Sequence, residues 1–383
     1  MIFIKNFTNF TMRTLTILML FLVLPSCLFT KKLSIKATKN VNLKQYDFQE
    51  LKGWNNDDHK LASQTFLHSC RKFSKMAQNQ VLNGKILEIT AGDFRDVCEI
   101  GEVVKHMSSK QTKNFFENWF RLFLVEDKSH YSDEGIFTGY YEASLRGSFV
   151  KSERYKYPIY LKPKDNNFDP YLTRLDIENG ALESQKLELL YVDDKVDLFF
   201  MHIQGSGRIT LPNGSEIRVA YAGKNRHPFT AISNIMFNQG LISQEEYNSK
   251  GVRQWLKNNP NQADDLMSFN NSYTFFKLND NDFVVGAQGV PLTAERSLAV
   301  DNNIIPYGMP LWVETNLKHN NELSSFNKLM VAQDTGSAIK GVIRGDIFFG
   351  FGAEAEEKAF TMASKGRYYI LLPINVVDKI LGR

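Results

Sequence analysis

Residues 333–341 have the sequence QDTGSAIKG and residues 344–350 have the sequence RGDIFFG, two glycine-rich segments in the C-terminal third of the chain. The first follows an apolar run at residues 329–332, so Asp334 and Asp346 are expected at adjacent strand ends. The apolar neighbours of Asp346 predict a partly desolvated carboxyl that is held protonated, as a general acid near neutral pH requires. Hydroxyl and backbone donors around Asp334 predict an ionised, supporting carboxylate.

The segment Asp334-Thr335-Gly336-Ser337 also matches the active-site signature of aspartic proteases, which is a competing interpretation. Those enzymes use two carboxylates that share one proton, so the motif must be present twice. Asp-Thr-Gly occurs once in this chain. A protease would therefore need a homodimer built around this loop, and we disfavour it.

Length and composition indicate an ordinary globular protein of two or three domains. The chain has 383 residues, of which 43% are hydrophobic and 23% charged. Its formal net charge of +4 comes without a strongly basic block, so no nucleic-acid partner is predicted. Neither a cofactor motif nor a clustered set of metal ligands is present, and no cofactor or metal is predicted.

The hydrophobic pattern predicts a mainly β fold with helices. Residues 48–123 have helical spacing, with Asp57-Asp58 as a predicted helix cap. From Gly135 onward short apolar runs alternate with turn residues, and these predict strands, among them residues 198–203 and 283–285. Two further helical patches cover residues 227–238 and 244–256, and Pro260 is expected to end the second. Regular βαβ spacing is missing, which disfavours a doubly wound fold.

The N-terminus has the features of an export signal. Arg13 precedes an apolar stretch at residues 15–24, which is too short to span a bilayer. Leu24-Pro25-Ser26-Cys27 resembles the lipobox of bacterial lipoproteins. We therefore predict a signal peptide at residues 1–26, lipidation of Cys27 and a polar tether at residues 27–47. Simple secretion with an incidental cysteine is the alternative.

Two cysteines remain after Cys27 is set aside, Cys70 and Cys98. In an oxidising compartment such a pair more often forms a disulfide than a metal site. We predict the Cys70–Cys98 disulfide, with two reduced buried thiols as the alternative.

Several motifs in register carry a family resemblance. They lie at residues 137–141 (FTGYY), 157–160 (YPIY), 204–207 (QGSG) and 221–225 (YAGKN), and in the segments around Asp301, Asp334 and Asp346. In order and spacing they resemble the membrane-bound lytic murein transglycosylase A family, including its three-aspartate domain, from about Phe137 to Pro373. Ser337 stands where a second glycine is common in the family.

The resemblance implies an architecture and an activity. A double-psi β-barrel would comprise residues 48–142 and 279–383, and a smaller inserted β-domain residues 143–278, with a glycan groove between them. The implied reaction cleaves the β-1,4 bond between N-acetylmuramic acid and N-acetylglucosamine and leaves a 1,6-anhydromuramic end, with Asp346 as the acid and base. Leu28 provides no inner-membrane retention acid, so we expect lipid anchoring on the periplasmic side of the outer membrane.

The predicted sugar-binding residues lie in the same motifs. They are Tyr140, Tyr141, Gln204, Ser206, Lys224, Asn225, Asp301 and Lys340. Two other functions stay open from the sequence: a cell-wall binding protein without catalysis, and an inverting glycoside hydrolase that uses Asp334 and Asp346 as a pair.

Overall fold

The computed structural model describes residues 32–164, 171–319 and 322–383. The predicted signal peptide and Cys27 lie outside these residues. Residues 33–383 form one compact unit. Within the described part of the chain, no helix has the length and apolarity needed to cross a membrane.

Helices make up most of the N-terminal part of this unit and several of its connections. They are α1 (His59–Phe73), α2 (Arg95–Val104), α3 (Ser109–Trp119), α4 (Arg174–Glu178), α5 (Lys195–Gln204), α6 (Ile232–Asn238), α7 (Ser249–Asn258), α8 (Pro260–Ser268), α9 (Ala353–Thr361) and α10 (Ile374–Leu381).

Strands form the body of the protein. They are β1 (Ser34–Lys36), β2 (Val41–Tyr46), β3 (Phe120–Asp127), β4 (Gly135–Ser148), β5 (Tyr157–Tyr160), β6 (Glu188–Val192), β7 (Ser206–Thr210), β8 (Glu216–Lys224), β9 (Thr274–Leu278), β10 (Ser297–Val300), β11 (Pro310–His319), β12 (Glu322–Asp334), β13 (Arg344–Phe351) and β14 (Ala363–Pro373).

Six strands close into a barrel. They are hydrogen-bonded in the order β14-β11-β12-β10-β13-β4, and β4 pairs again with β14. Two of the pairings, β10 with β12 and β13 with β4, are parallel. Strands β3, β2 and β1 extend the sheet beyond β14.

The inserted part of the chain is built on the second half of β4. Beyond Glu142, this long strand pairs in parallel with β7, and β8 and β9 continue that sheet. The end of β4 also pairs with β6, which pairs with β5. The predicted fold class, a mainly β fold with an inserted β-domain, is confirmed, while the predicted domain limits stay a prediction.

The local prediction for residues 198–203 is wrong, because they belong to helix α5 and not to a strand. A six-residue apolar run suits a buried strand and a buried helix equally. The flanking residues decide the outcome. Asp194 accepts a hydrogen bond from the Asp197 amide (2.9 Å) as N-cap, and Gly205 ends the helix with φ 82°.

Three other local predictions need correction. Residues 227–231 are not helical and α6 begins only at Ile232. Pro260 follows the end of α7 as predicted but also starts a new helix, α8, since proline is tolerated at the first helical position. Residues 283–285 contribute an isolated bridge, Val285 to Pro291, and no full strand.

Helix α1 is fixed at both ends and packs behind the barrel. The Asp58 carboxylate caps it by accepting a hydrogen bond from the Leu61 amide (3.1 Å), which confirms this predicted cap. Cys70 and Cys98 join α1 to α2 as a disulfide with a Cα–Cα distance of 5.4 Å.

A buried polar contact ties α1 to the strand that carries Asp334. The fully buried Gln333 side chain donates from Nε2 to the Thr65 carbonyl and to Ser69 Oγ, at 2.9 Å each. Its Oε1 accepts a hydrogen bond from Ser297 Oγ (2.6 Å). Because every one of these polar groups is buried, the contact holds the end of β12 in a defined position.

Candidate active site

A cleft of about 580 Å³ runs between the barrel and the inserted sheet. A volume of this order suits a ligand larger than a single sugar ring. Side chains of both parts line it, including Tyr140, Asp334, Lys340 and Asp346 from the barrel and Gln204, Ser206, Tyr221, Lys224 and Lys277 from the insert.

Asp346 lies on β13 with its carboxyl at the wall of the cleft. Strand neighbours Ile347 and Phe348 are buried. Burial raises the pKa of Asp346 to about 6, against the opposing effects of the Arg344 charge and a hydrogen bond from Thr138. The negative charge of Asp334 adds to the rise. Asp346 is therefore tuned toward the protonated form that a general acid needs.

Thr138 and Arg344 form hydrogen bonds in series that end at Asp346, and neither residue was predicted to contact it. Thr138 is the register partner of Asp346 on the parallel strand β4. Its hydroxyl donates to Asp346 Oδ1 (2.5 Å) and accepts from Arg344 Nη2 (2.8 Å). Both residues stand within or beside quoted motifs, but only the strand register brings them to the carboxyl.

Asp334 is held by three donors. Its Oδ1 accepts hydrogen bonds from the Ala287 and Thr335 amides, both at 2.9 Å, and its Oδ2 accepts one from Tyr140 Oη (2.8 Å). Only the Thr335 donor lies in the predicted local setting, because the fold brings in Tyr140 and Ala287. The ionised state of Asp334 stays a prediction. Burial outweighs the donors and raises the pKa of Asp334 above its ordinary value.

Tyr140 and Tyr141 point in opposite directions, as successive residues of a strand do. Tyr140 lines the cleft, packs on Phe348 with ring centroids 5.2 Å apart, and donates to Asp334. Tyr141 is 4% exposed and packs edge-on against Phe360 on the other side of β4. The predicted sugar contact of Tyr141 is therefore contradicted by its burial.

On the insert side, Gln204, Ser206 and Lys224 lie at the cleft as predicted. The Gln204 side chain accepts a hydrogen bond from the Tyr141 amide through Oε1 (3.0 Å). This contact fixes the side chain, and in the described residues its Nε2 donates to no protein group. Gln204 thus has a donor available for a ligand at the wall of the cleft.

Asn225 and Asp301 have internal roles, which corrects their predicted contact with sugar. Asn225 is 4% exposed; its Nδ2 donates to the Leu172 and Asn271 carbonyls, and its Oδ1 accepts from the Tyr273 amide, each at 2.8 Å. Asn225 is not among the described residues that line the cleft.

Asp301 binds its own loop and the segment that follows Asp334. Its Oδ1 accepts from the Asn303 amide (3.1 Å) and its Oδ2 from the Gly341 amide (3.1 Å). Lys340 lines the cleft, with its Nζ 3.5 Å from Asp301 Oδ1. Asp301 therefore supports the loop that carries Lys340 and does not itself line the cleft.

Arg174 and His202 also line the cleft, although no sequence motif predicted either residue there. Arg174 Nη1 lies 3.1 Å from His202 Nδ1, and because arginine only donates, this nitrogen of His202 accepts. Burial lowers the pKa of His202 well below its ordinary value, so the ring is neutral. Among the described residues, no group of three or more His, Cys, Asp or Glu side chains is arranged to hold a metal ion.

Comparison with known proteins gives the family. Residues 136–277 match the MltA specific insert domain and residues 296–372 match the 3D domain. The membrane-bound lytic murein transglycosylase A of Escherichia coli K12 is 36% identical over 267 residues, which are 68% of this chain and 71% of that protein.

Solved structures agree with the sequence relatives. A membrane-bound lytic murein transglycosylase from Agrobacterium tumefaciens superposes with a TM-score of 0.78 at 32% identity, covering 88% of this chain and 99% of that one. The Escherichia coli MltA with bound chitohexaose superposes with a TM-score of 0.68 at 26% identity, covering 89% and 94%. The chain belongs to the membrane-bound lytic murein transglycosylase A family.

Proposed function

We propose that this lytic transglycosylase cleaves the β-1,4 bond between N-acetylmuramic acid and N-acetylglucosamine in peptidoglycan and leaves a 1,6-anhydromuramic end, with Asp346 as its single acid and base. Its relatives are named lytic murein transglycosylases, and one of them has been crystallised with chitohexaose. A cleft that runs between two β-rich parts of the chain suits an extended glycan.

The observation that carries the proposal is the unequal state of the two carboxyls in the cleft. Both oxygens of Asp334 accept hydrogen bonds from the protein. Asp346 accepts one, from Thr138 on Oδ1, and its Oδ2 accepts none from the described residues. Asp346 thus has an oxygen free for a proton that moves to and from substrate, whereas Asp334 is engaged in support.

One carboxyl is sufficient when the substrate supplies its own nucleophile. Protonated Asp346 donates its proton to the glycosidic oxygen as the bond from that oxygen to C1 of the muramic acid breaks. The C6 hydroxyl oxygen then bonds to C1, and its proton returns to the Asp346 carboxylate. This attack is intramolecular, and well-oriented intramolecular reactions have effective molarities on the order of 10⁵ M or more.

The engaged state of Asp334 also bears on the inverting-hydrolase alternative. An inverting hydrolase needs its second carboxylate free to activate a water molecule. Asp334 instead accepts from Tyr140, Ala287 and Thr335. We infer that Asp334 orients the wall of the cleft and acts on Asp346 through its charge.

Mass spectrometry of the fragments released from purified sacculi tests the reaction. Anhydro ends are lighter by one water than hydrolysed ends, and we expect the anhydro form. Hydrolysed ends would overturn the proposal in favour of the inverting hydrolase, and an absence of released fragments would favour a binding protein.

Substitution of the acid tests the assignment of Asp346. We expect Asp346→Asn to lower cleavage by about 10² to 10⁴, the usual contribution of general acid–base catalysis, with glycan binding retained. Asp265→Asn is the matched control, since Asp265 is exposed on helix α8 outside the cleft. A folded Asp346→Asn variant with normal turnover would place the acid elsewhere.

We also propose where the enzyme works. Its relatives are named membrane-bound, which supports membrane association of this chain. The lipobox-like Cys27, which lies outside the described residues, provides the means: a lipid anchor on the periplasmic side of the outer membrane. Glycan strands would then reach the cleft from the wall side.

A further inference from the structure

The insert wall of the cleft carries two lysines, Lys224 and Lys277. Lys224 ends strand β8 and Lys277 lies on β9, and both line the cleft. Neither forms an ion pair with an acid among the described residues. By contrast Lys195, also in the insert, binds both Glu178 (3.0 Å) and Asp264 (2.8 Å).

Charge in the cleft is unbalanced as a result. Of the described residues that line it, the only acids are Asp346, the proposed acid of the reaction, and its supporting neighbour Asp334. Lys340 adds a third ammonium group from the barrel side, 3.5 Å from Asp301. An unpaired ammonium group beside a ligand cleft attracts anionic groups of the ligand.

The strand register sets the spacing of the two lysines. Lys224 pairs with Thr274 across β8 and β9, and Lys277 pairs with Ala220. Thr274 and Lys277 are three residues apart, which is roughly 10 Å along a strand at about 3.3 Å per residue. The backbone positions of the two lysines are therefore separated by about that distance along the strands, and both residues line the cleft.

We propose that Lys224 and Lys277 bind carboxylates of the muramyl units and so favour anionic glycan over neutral glycan of the same length. This inference rests on the proposed function. Muramic acid differs from N-acetylglucosamine by a lactyl group, whose carboxylate is free in strands without peptide and amide-linked in strands with peptide. The peptide itself carries further carboxylates, so either source supplies the same chemistry.

Binding measurements test the proposal in the Asp346→Asn background, where the ligands stay intact. The three ligands are chitohexaose, a hexasaccharide of alternating N-acetylglucosamine and N-acetylmuramic acid without peptide, and the same hexasaccharide with peptide. We expect Lys224→Met with Lys277→Met to weaken binding of at least one anionic ligand about tenfold, as two ion pairs of moderate strength would. Binding of chitohexaose should change little.

The outcomes separate the sources and the alternatives. Loss confined to the ligand without peptide assigns the lactyl carboxylate, and loss confined to the ligand with peptide assigns the peptide. An equal loss for chitohexaose, or no loss for either anionic ligand, would overturn the proposal. Lys151→Met is the matched control, because Lys151 is an exposed lysine of the insert that does not line the cleft.

Failure of the proposed function would be recognised independently. If the wild-type enzyme releases hydrolysed ends, or if Asp346→Asn cleaves the ligands, the reaction or its acid is wrong. The comparison of charged and neutral ligands remains valid in the first case, since it measures binding and not the product.

Discussion

The pH dependence of cleavage gives the sharpest test of how the protein tunes Asp346. Burial raises its pKa to about 6, so the reactive, protonated form is lost as the pH rises through 6. We expect kcat/KM to fall about tenfold per pH unit above that value. The perturbation is Thr138→Val, which removes the hydroxyl that donates to Asp346 Oδ1 at 2.5 Å.

The sign and size of the shift follow from the hydrogen bond. The Thr138 hydroxyl stabilises the charged form of Asp346, so its removal raises the pKa further. A hydrogen bond to a charged group contributes about 1.5 to 3 kcal/mol, and one pKa unit corresponds to about 1.36 kcal/mol. We therefore expect the alkaline limb of the profile to move up by on the order of one pH unit.

Two further variants make the test specific. Thr138→Ser keeps the hydroxyl and should leave the limb near pH 6. Asp334→Asn removes a neighbouring negative charge and should move the limb down, since that charge raises the pKa of Asp346. The assay is kcat/KM for soluble glycan between pH 4 and 9, with circular dichroism to confirm folding. A profile that stays in place in both Thr138→Val and Asp334→Asn would refute the assignment of Asp346 as the titrating acid.

Three other predictions concern stability and location. Asp346 has a raised pKa in the folded state, so its negative charge destabilises the fold above pH 6 and not below pH 4. Asp346→Asn should therefore raise the free energy of unfolding at pH 7 by up to about 3 kcal/mol, with no gain near pH 4. Urea unfolding at both pH values checks this. Cys70→Ser with Cys98→Ser should lower the free energy of unfolding by roughly 3 to 4 kcal/mol, because the bridge joins residues with a sequence separation of 28. Reversible denaturation measures the loss, and an unchanged midpoint would contradict it. Cys27→Ser should move the enzyme to the soluble fraction with its activity on soluble glycan retained, and a variant that stays with the membrane fraction would exclude lipidation at this position.

Asp346 and its supporting neighbour Asp334 could be found from the sequence because their signals are local. Asp334 and Asp346 each stand in a glycine-rich segment next to an apolar run, and the run predicts the strand that delivers the residue. Both residues line the same cleft, but β10 lies between their strands, so the predicted adjacency of the two strand ends is wrong. The pKa of Asp334 could not be predicted from the sequence, because only its Thr335 donor is a sequence neighbour. The Ala287 and Tyr140 donors and the burial of the carboxyl depend on the rest of the fold.

The residues that support Asp346 were not accessible from the sequence for a similar reason. Thr138 belongs to a quoted motif, yet it precedes Asp346 by 208 residues and meets it only through the parallel register of β4 and β13. The predicted sugar contacts of Asn225 and Tyr141 are wrong for the opposite reason, because their local motifs were suggestive and the fold buries them. Both occur in motifs that suit sugar binding, but each is buried in the fold and its polar or aromatic group is used there.

Strand β4 explains why the acid and the glycan-binding wall are parts of one structure. Its first half pairs with β13 and sets Thr138 beside Asp346, and two residues later Tyr140 reaches Asp334. Its second half pairs with β7, whose first residue, Ser206, lines the cleft. A slip of one residue in this strand would turn Thr138 and Tyr140 to the opposite face. The register that tunes the acid is therefore the same register that aligns the inserted sheet with it, and the insertion at this strand keeps both in place together.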